Sequence, residues 1–521
     1  IDFNDNIDLA GNLTLSGYVS ANGGYCSDEN ANAKFGTSAL NSLTTGLYNV
    51  AIGTSALRSN TSGCDNASVG QDALYANTTG CKNVALGRAA LRYNTTGKWN
   101  SAVGFAALFC NSSGCQNTAS GAYALYGNTT ANINTAFGEA SMKCNTTGAC
   151  NVAVGGSALY CNTTASRNTA IGMNTLFSNT TGSDLVGVGF KALCKNTCGK
   201  LNTASGAYSM LNNTTGGCNT GYGYGSLHNN TTGGQNVAHG ACALFANTTG
   251  GSSVAIGTKA GFNNTTATVV AVGTAALCGN TTGFRNAAVG HAALKTTSTG
   301  GRNAGFGTKS LYKNTTGNNN TASGTYSLYC NTTGSLNTAS GYGALLSNTT
   351  ASCNTAVGGC SLYSNTTGAS LVAVGYNALK SSTCANCSTA VGHQALMDLT
   401  TGSGNTAVGQ AAGENVTTGV ANVIVGVKAL CTATSGNYNT ALGYQAQRQT
   451  TTGNCNVAVG YNSLISNTTG CNNTSIGLAA LFTNTTANYN TAVGTCALYD
   501  NSTGGQNTAV GYNAAYNNTT G

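Results

Sequence analysis

Residues 490–506 read NTAVGTCALYDNSTGGQ, and this 17-residue stretch decides the fold because the chain repeats it from Asn32 to Gly521. Numbering its residues as positions 1 to 17, position 3 is almost always Ala and position 5 is always Gly. Positions 8 and 9 are mostly Ala-Leu, and positions 12 to 15 are mostly Asn-Thr-Thr-Gly. Working outward, the position-5 glycine recurs every 17 residues from Gly36 through Gly53, Gly70 and Gly87 to Gly257. After one step of 16 to Gly273, the spacing of 17 resumes to Gly511 and makes 29 units in all. A strict short period sets the architecture before any other signal is read.

Seventeen residues are too few for a helical hairpin, since helical repeats need about twice that length. Thr-Ala-Val is β-branched at alternate positions and bounded by Asn and Gly, which reads as a short strand. Ala-Leu reads as a second short extended or bent segment. Asn-Thr-Thr-Gly reads as a turn at the surface, with Asn and Gly tolerating positive φ. The prediction is an all-β chain, a parallel β-solenoid (β-roll) of about 29 coils, with equivalent residues stacked about 4.8 Å apart. Residues 1–31 fall outside the repeat and form an N-terminal arm or cap; residues 32–521 form the solenoid. The missing residue after Thr265-Thr266 falls at the loop end of a coil, where a length change is tolerated.

The small Ala columns fit a thin interior with Leu as its bulk. Position 4 faces away from position 3 yet is usually apolar, and a strand apolar on both faces is usually covered on both. That predicts a homo-oligomer, either a lateral trimer or an end-to-end filament. The arm alternates Ile7, Leu9, Leu13 and Leu15 with polar residues, as an incoming strand would, and carries Asp2, Asp5, Asp8, Asp28 and Glu29. Asp2-x-Asn4-x-Asn6 is a poor calcium loop without the glycine and distal glutamate of an EF-hand. The last coil keeps full repeat character, which predicts that the stack continues or docks at that end.

Only 6% of residues are charged, against roughly a quarter in ordinary soluble domains. The net charge of +8 is spread thinly, which argues against nucleic acid as a partner. No run of about 18 apolar residues signals a membrane span.

Asn followed two residues on by Ser or Thr is an N-glycosylation sequon. It recurs at position 12 in Asn60, Asn77, Asn94, Asn111, Asn128, Asn145, Asn162, Asn179, Asn213, Asn230 and Asn247. It continues in Asn264, Asn280, Asn314, Asn331, Asn348, Asn365, Asn467, Asn484, Asn501 and Asn518. On a surface turn these would accept N-linked glycans and solubilise a nearly uncharged rod; stacked inside, the same amides would form a hydrogen-bonded ladder. No other cofactor is expected. The 22 cysteines lack the paired spacing of zinc sites, Cys384-x-x-Cys387 standing alone. Cys64 with Cys81 and Cys144 with Cys161 share columns at disulfide distance, while Cys110 with Cys115 and Cys194 with Cys198 would close single loops. Disulfides would place the chain outside the cell or on a virion surface.

Catalytic chemistry is thin. His228, His239, His291 and His393 have no paired carboxylate column, and Gly221-Tyr222-Gly223-Tyr224-Gly225 lacks the helix a phosphate loop needs. No catalytic or metal residues are assigned, and no enzyme is expected. Position 10 is often aromatic, as at Tyr75, Phe109, Tyr126 and Tyr160. Such a column would either bind sugars or a neighbouring filament, or cover the coil edge.

The N-T-A-V-G-x-x-A-L unit resembles repeats of viral and phage tail-fibre proteins and the head domains of trimeric autotransporter adhesins. The resemblance covers residues 32–521 and implies a parallel β-roll, often trimeric, serving as a fibre or adhesive stalk. The functional expectation is an extracellular structural fibre subunit. The alternative is a receptor-binding fibre or adhesin stalk, with cell-surface glycans as candidate partners.

Overall fold

Each coil spends three or four residues on a strand and the rest on turns; most backbone N–H groups reach a neighbouring coil, while those of positions 8 and 12 stay within their own. The computed structural model describes residues 31–521, so the expected arm lies, but for Ala31, outside the described residues. The chain divides into two compact units, residues 1–234 and 235–521. In the first, parallel strands run from β1 (Ala33–Phe35) and β2 (Val50–Ile52) at 17-residue intervals to β12 (Thr220–Tyr222). In the second, they run from β13 (Val237–His239) to β29 (Thr508–Val510). Within each unit the register is strict, with Ala33, Lys34 and Phe35 opposite Val50, Ala51 and Ile52. The architecture is the parallel β-solenoid that the period predicts, and no helix occurs among the described residues.

The backbone of each coil bends through residues with positive φ at positions 5, 7, 9 and 17. In one coil these are Gly53 (127°), Ser55 (58°), Leu57 (49°) and Asp65 (56°). The expectation of positive φ within Asn-Thr-Thr-Gly is therefore corrected, since neither Asn60 nor Gly63 adopts it. Of the two readings of Ala-Leu, extended or bent, the structure takes the bent one: the pair lies in a turn in which the Ala56 N–H donates to the Gly53 carbonyl at 3.2 Å. A bulky left-handed Leu costs roughly 1–2 kcal/mol. Burying its side chain contributes about 1.5–3 kcal/mol, and Leu57, Leu74, Leu91 and Leu108 are wholly buried. These left-handed positions also exclude proline, whose φ is held near −65°.

Position 5 is invariant for two reasons at once. Its φ of 112–142° lies where side chains are strained. A Cβ on Gly155 would also stand 2.7 Å from the Gly172 carbonyl carbon and oxygen in the next coil. Gly156 beside it is different: it has no positive φ, and the only heavy atom near its Cβ position is Met173 Cγ at 4.0 Å.

The short coil keeps its turn intact. The Asn264 amide still donates to the Ala267 carbonyl at 2.8 Å, and the Thr265 N–H to the Thr281 carbonyl at 3.1 Å. The missing residue is position 17, so the strand β15 (Val269–Val272) starts one residue early, at position 1.

Gly155→Ala is expected to destabilise the coils around it by at least ~1–3 kcal/mol, while Gly156→Ala stays close to neutral. Hydrogen exchange at the Gly172 amide, which donates to Val154 across the strand pair at 2.7 Å, measures the difference. Equal protection in the two variants would contradict it.

Candidate functional site

The Asn-Thr-Thr-Gly turn points its asparagine inward. Asn60, Asn77, Asn94, Asn111 and the other position-12 sequon residues through Asn501 are fully buried, and only Asn518 is half-buried. In the first unit, eleven asparagines from Asn60 to Asn230 form an unbroken ladder. Each amide nitrogen donates to the preceding Oδ1, as Asn77 does to Asn60 at 2.8 Å and Asn94 to Asn77 at 2.8 Å. The second amide hydrogen goes to the position-15 carbonyl of the same coil, Asn77 to Gly80 at 3.0 Å. The expected surface placement is thus corrected. A glycan would replace one of these hydrogens, so the glycan and this coil exclude one another at the wholly buried rungs. A signal in the sequence pointed there: Leu399 and Val416 occupy position 12 in register and are wholly buried, as no glycan column would allow.

The threonine at position 13 is structural too. Thr61 Oγ1 donates to the Thr78 carbonyl at 3.1 Å, and the N–H groups of Thr61, Ser62 and Gly63 converge on the same oxygen at 3.0, 3.1 and 3.2 Å.

All eight cysteines expected to pair are free thiols in the structure. Cys64 and Cys81 are brought together, the Cys64 N–H donating to Cys81 Sγ at 3.2 Å. That contact gives cysteine at position 16 a role as acceptor for the coil before it. Cys144 and Cys161 also neighbour one another: burial, then the Cys144 and Cys194 sulfurs, pushes the Cys161 thiol up. Cys110 and Cys194 are raised by burial. Cys115 Sγ accepts from the Lys98 N–H of the coil before it at 3.4 Å, and Cys198 is exposed on the turn after Asn196. Among the described residues, no group of three or more His, Cys, Asp or Glu forms a candidate metal cluster.

Position 10 forms a stacked column. In the first unit it reads Arg58, Tyr75, Arg92, Phe109, Tyr126, Lys143, Tyr160, Phe177. Arg92 lies 5.6 Å from the Tyr75 ring centre and 5.8 Å from that of Phe109. Phe109 stacks on Tyr126 at 4.9 Å, and Tyr160 on Phe177 at 5.0 Å. The ring faces are used by coil neighbours, and a sugar needs such a face to stack on.

The outward surface lies elsewhere. Position 3 faces in, so positions 17, 2, 4 and 6 face out. Among the described residues, all but four of the exposed large apolar side chains stand in these columns, the exceptions being Tyr93, Tyr123, Phe284 and Val420. Columns 2 and 4 hold no Lys, Arg, Asp or Glu over the described strands. In the second unit, from Asn319 to Tyr512, all four columns are free of charge; Lys380, Asp398, Glu414, Lys428, Arg448 and Asp500 lie at positions 7, 10 and 11.

No protein-family model matches this chain, and no curated protein matches it at a significant level. No helix of the described residues is long and apolar enough to cross a membrane.

Two measurements follow from this geometry. After secretion from a eukaryotic cell, peptide mass mapping of the folded chain is expected to find Asn162 unmodified; a glycosylated Asn162 in an intact stack would refute the buried ladder. Cys431, raised by burial and then by Glu414, holds less thiolate at a given pH than an unperturbed thiol. It is expected to be alkylated more slowly at pH 8 than the exposed Cys218, and equal rates would contradict the assignment.

Proposed function

We propose that the chain is a structural fibre subunit working outside the cell, a stiff rod with no catalytic role. The observation that carries this reading is the uniformity of the coils. Strand register and the left-handed turns repeat from coil to coil within each unit, and the position-12 asparagine ladder runs unbroken from Asn60 to Asn230 in the first. Each added coil lengthens a unit by about 4.8 Å, and neighbour-to-neighbour stacking is the energetic plan of solenoid proteins. Binding specificity would need a break in the pattern, and the break at Val269 changes one bend only.

The 22 cysteines support an oxidising setting. There, the contact between Cys64 and Cys81 is the first place where a coil-to-coil staple would form.

Negative-stain micrographs and small-angle scattering of the full chain test the reading. An elongated particle is expected, shortened by about 48 Å when ten coils, residues 303–472, are removed in register. A compact particle, or a deletion that abolishes folding of the remaining coils, would overturn it.

A further inference from the structure

We propose that the outward sheet face of the second unit, from β18 (Thr321–Ser323) to β29, docks face to face on the same surface of a second copy of this chain. This rests on the fibre reading and names its lateral partner.

The face is long and holds no Lys, Arg, Asp or Glu; column 4 is mostly Val, Leu or Ile, column 2 is Thr or Val, and His393 and Gln410 are among the polar residues of column 6. The extended strand of each coil, positions 2 to 4, is about 10 Å long, since the backbone bends at positions 17 and 5. At about 4.8 Å per coil, each strand offers about 50 Å². The twelve strands of the face then supply about 600 Å² of the about 800 Å² that a standard protein interface buries per partner. The exposed Leu336, Tyr342, Tyr376, Tyr438, Tyr444 and Tyr461 of columns 17 and 6 flank them and add to it. Soluble monomers rarely leave so many large apolar side chains together uncovered.

The relief of the face selects a second copy over an unrelated protein. Column 4 is nearly uniform, with Val357, Val374, Val391, Val408 and Val425 in successive coils. Column 2 is Thr or Val, which have the same shape: Thr355, Val372, Thr389, Thr406 and Val423. Ridges and grooves therefore repeat with one period. A surface fits them along its whole length only if it has that period too, and another copy of this chain has it by construction. Two such sheets would pack about 10 Å apart, with their strands aligned. A twofold arrangement places the same patch on both partners. The charges of this stretch, at positions 7, 10 and 11, stay at the wet edge.

The test measures mass against concentration for the full chain by analytical ultracentrifugation. Two quadruple variants are compared with it. One carries Val357→Lys, Val391→Lys, Val425→Lys and Val459→Lys in alternate coils of column 4. The other carries Thr367→Lys, Thr401→Lys, Thr452→Lys and Thr469→Lys at position 14, which is exposed away from the face. Circular dichroism confirms that both are folded. The full chain and the position-14 variant are expected to self-associate alike, and the column-4 variant to bind at least tenfold more weakly. A full chain that stays monomeric at the highest soluble concentration overturns the proposal and leaves the face to a different partner. Equal loss in both variants also overturns it, by showing an effect of charge alone. Micrographs of the same samples report particle length, so a failed interface on an elongated particle is distinct from a failed rod.

Discussion

At the turn of most coils one backbone carbonyl accepts two side-chain amides, and much of the structure depends on that junction. The Gly80 oxygen takes the Asn66 amide at 2.9 Å and the Asn77 amide at 3.0 Å. Asn66 belongs to the column at the start of the strand, and Asn77 to the column at the turn. Each amide reaches across to the coil before it as well, Asn66 to Asn49 at 3.0 Å and Asn77 to Asn60 at 2.8 Å. The two ladders thus fix the distance between strand and turn inside a coil and the register between coils. A buried polar group left unpaired costs about 1–3 kcal/mol, so a shift in register would break several such pairs at once.

The ladders explain how so thin a chain section has a stable interior. Ala at positions 3 and 8 and Leu at position 9 fill one side of the coil, and the paired asparagines fill the other. Where the chain replaces an amide, it substitutes a filler of similar reach, as Leu185 does at position 1 and Leu399 at position 12, both wholly buried. At Leu185 the backbone keeps the rung, its N–H donating to Asn168 Oδ1 at 3.0 Å, while Leu399 and Val416 replace successive rungs together, which is nearly neutral. The interior alternates between the two solutions without changing the path of the backbone.

With hydrogen bonding and packing both directed along the stack, the remaining variety falls on the outside. Columns 7, 10, 11 and 17 take most of the charges and column 10 most of the stacked rings, while nearly all the exposed large apolar side chains stand in columns 17, 2, 4 and 6. Beyond Asn319, where column 17 holds no charge, the charges and this face stand apart on the same coils. Column 6 shows that the face tolerates exceptions: Arg88 and Glu139 stand in it in the first unit, and beyond Asn319 it holds Thr325, His393, Gln410 and Thr495 but no Lys, Arg, Asp or Glu.

The period, the strand and the stacking order were all legible in the sequence. A 17-residue repeat with one Gly per unit permits only in-register coils, and Thr-Ala-Val carries its own strand signal. That position 4 faces outward was legible too, by alternation from a buried Ala. What only the tertiary structure decided was the direction of the turn residues. Asn-Thr-Thr-Gly reads locally as an exposed turn. Its asparagine points inward because the left-handed residues at positions 7, 9 and 17 set the angle at which the turn enters and leaves, and because the coil before it supplies the acceptor. Neither fact resides in the four residues themselves. The left-handed Leu at position 9 was hidden for the same reason: its local cost is met by burial between coils that are neighbours in space but 17 residues apart in the chain.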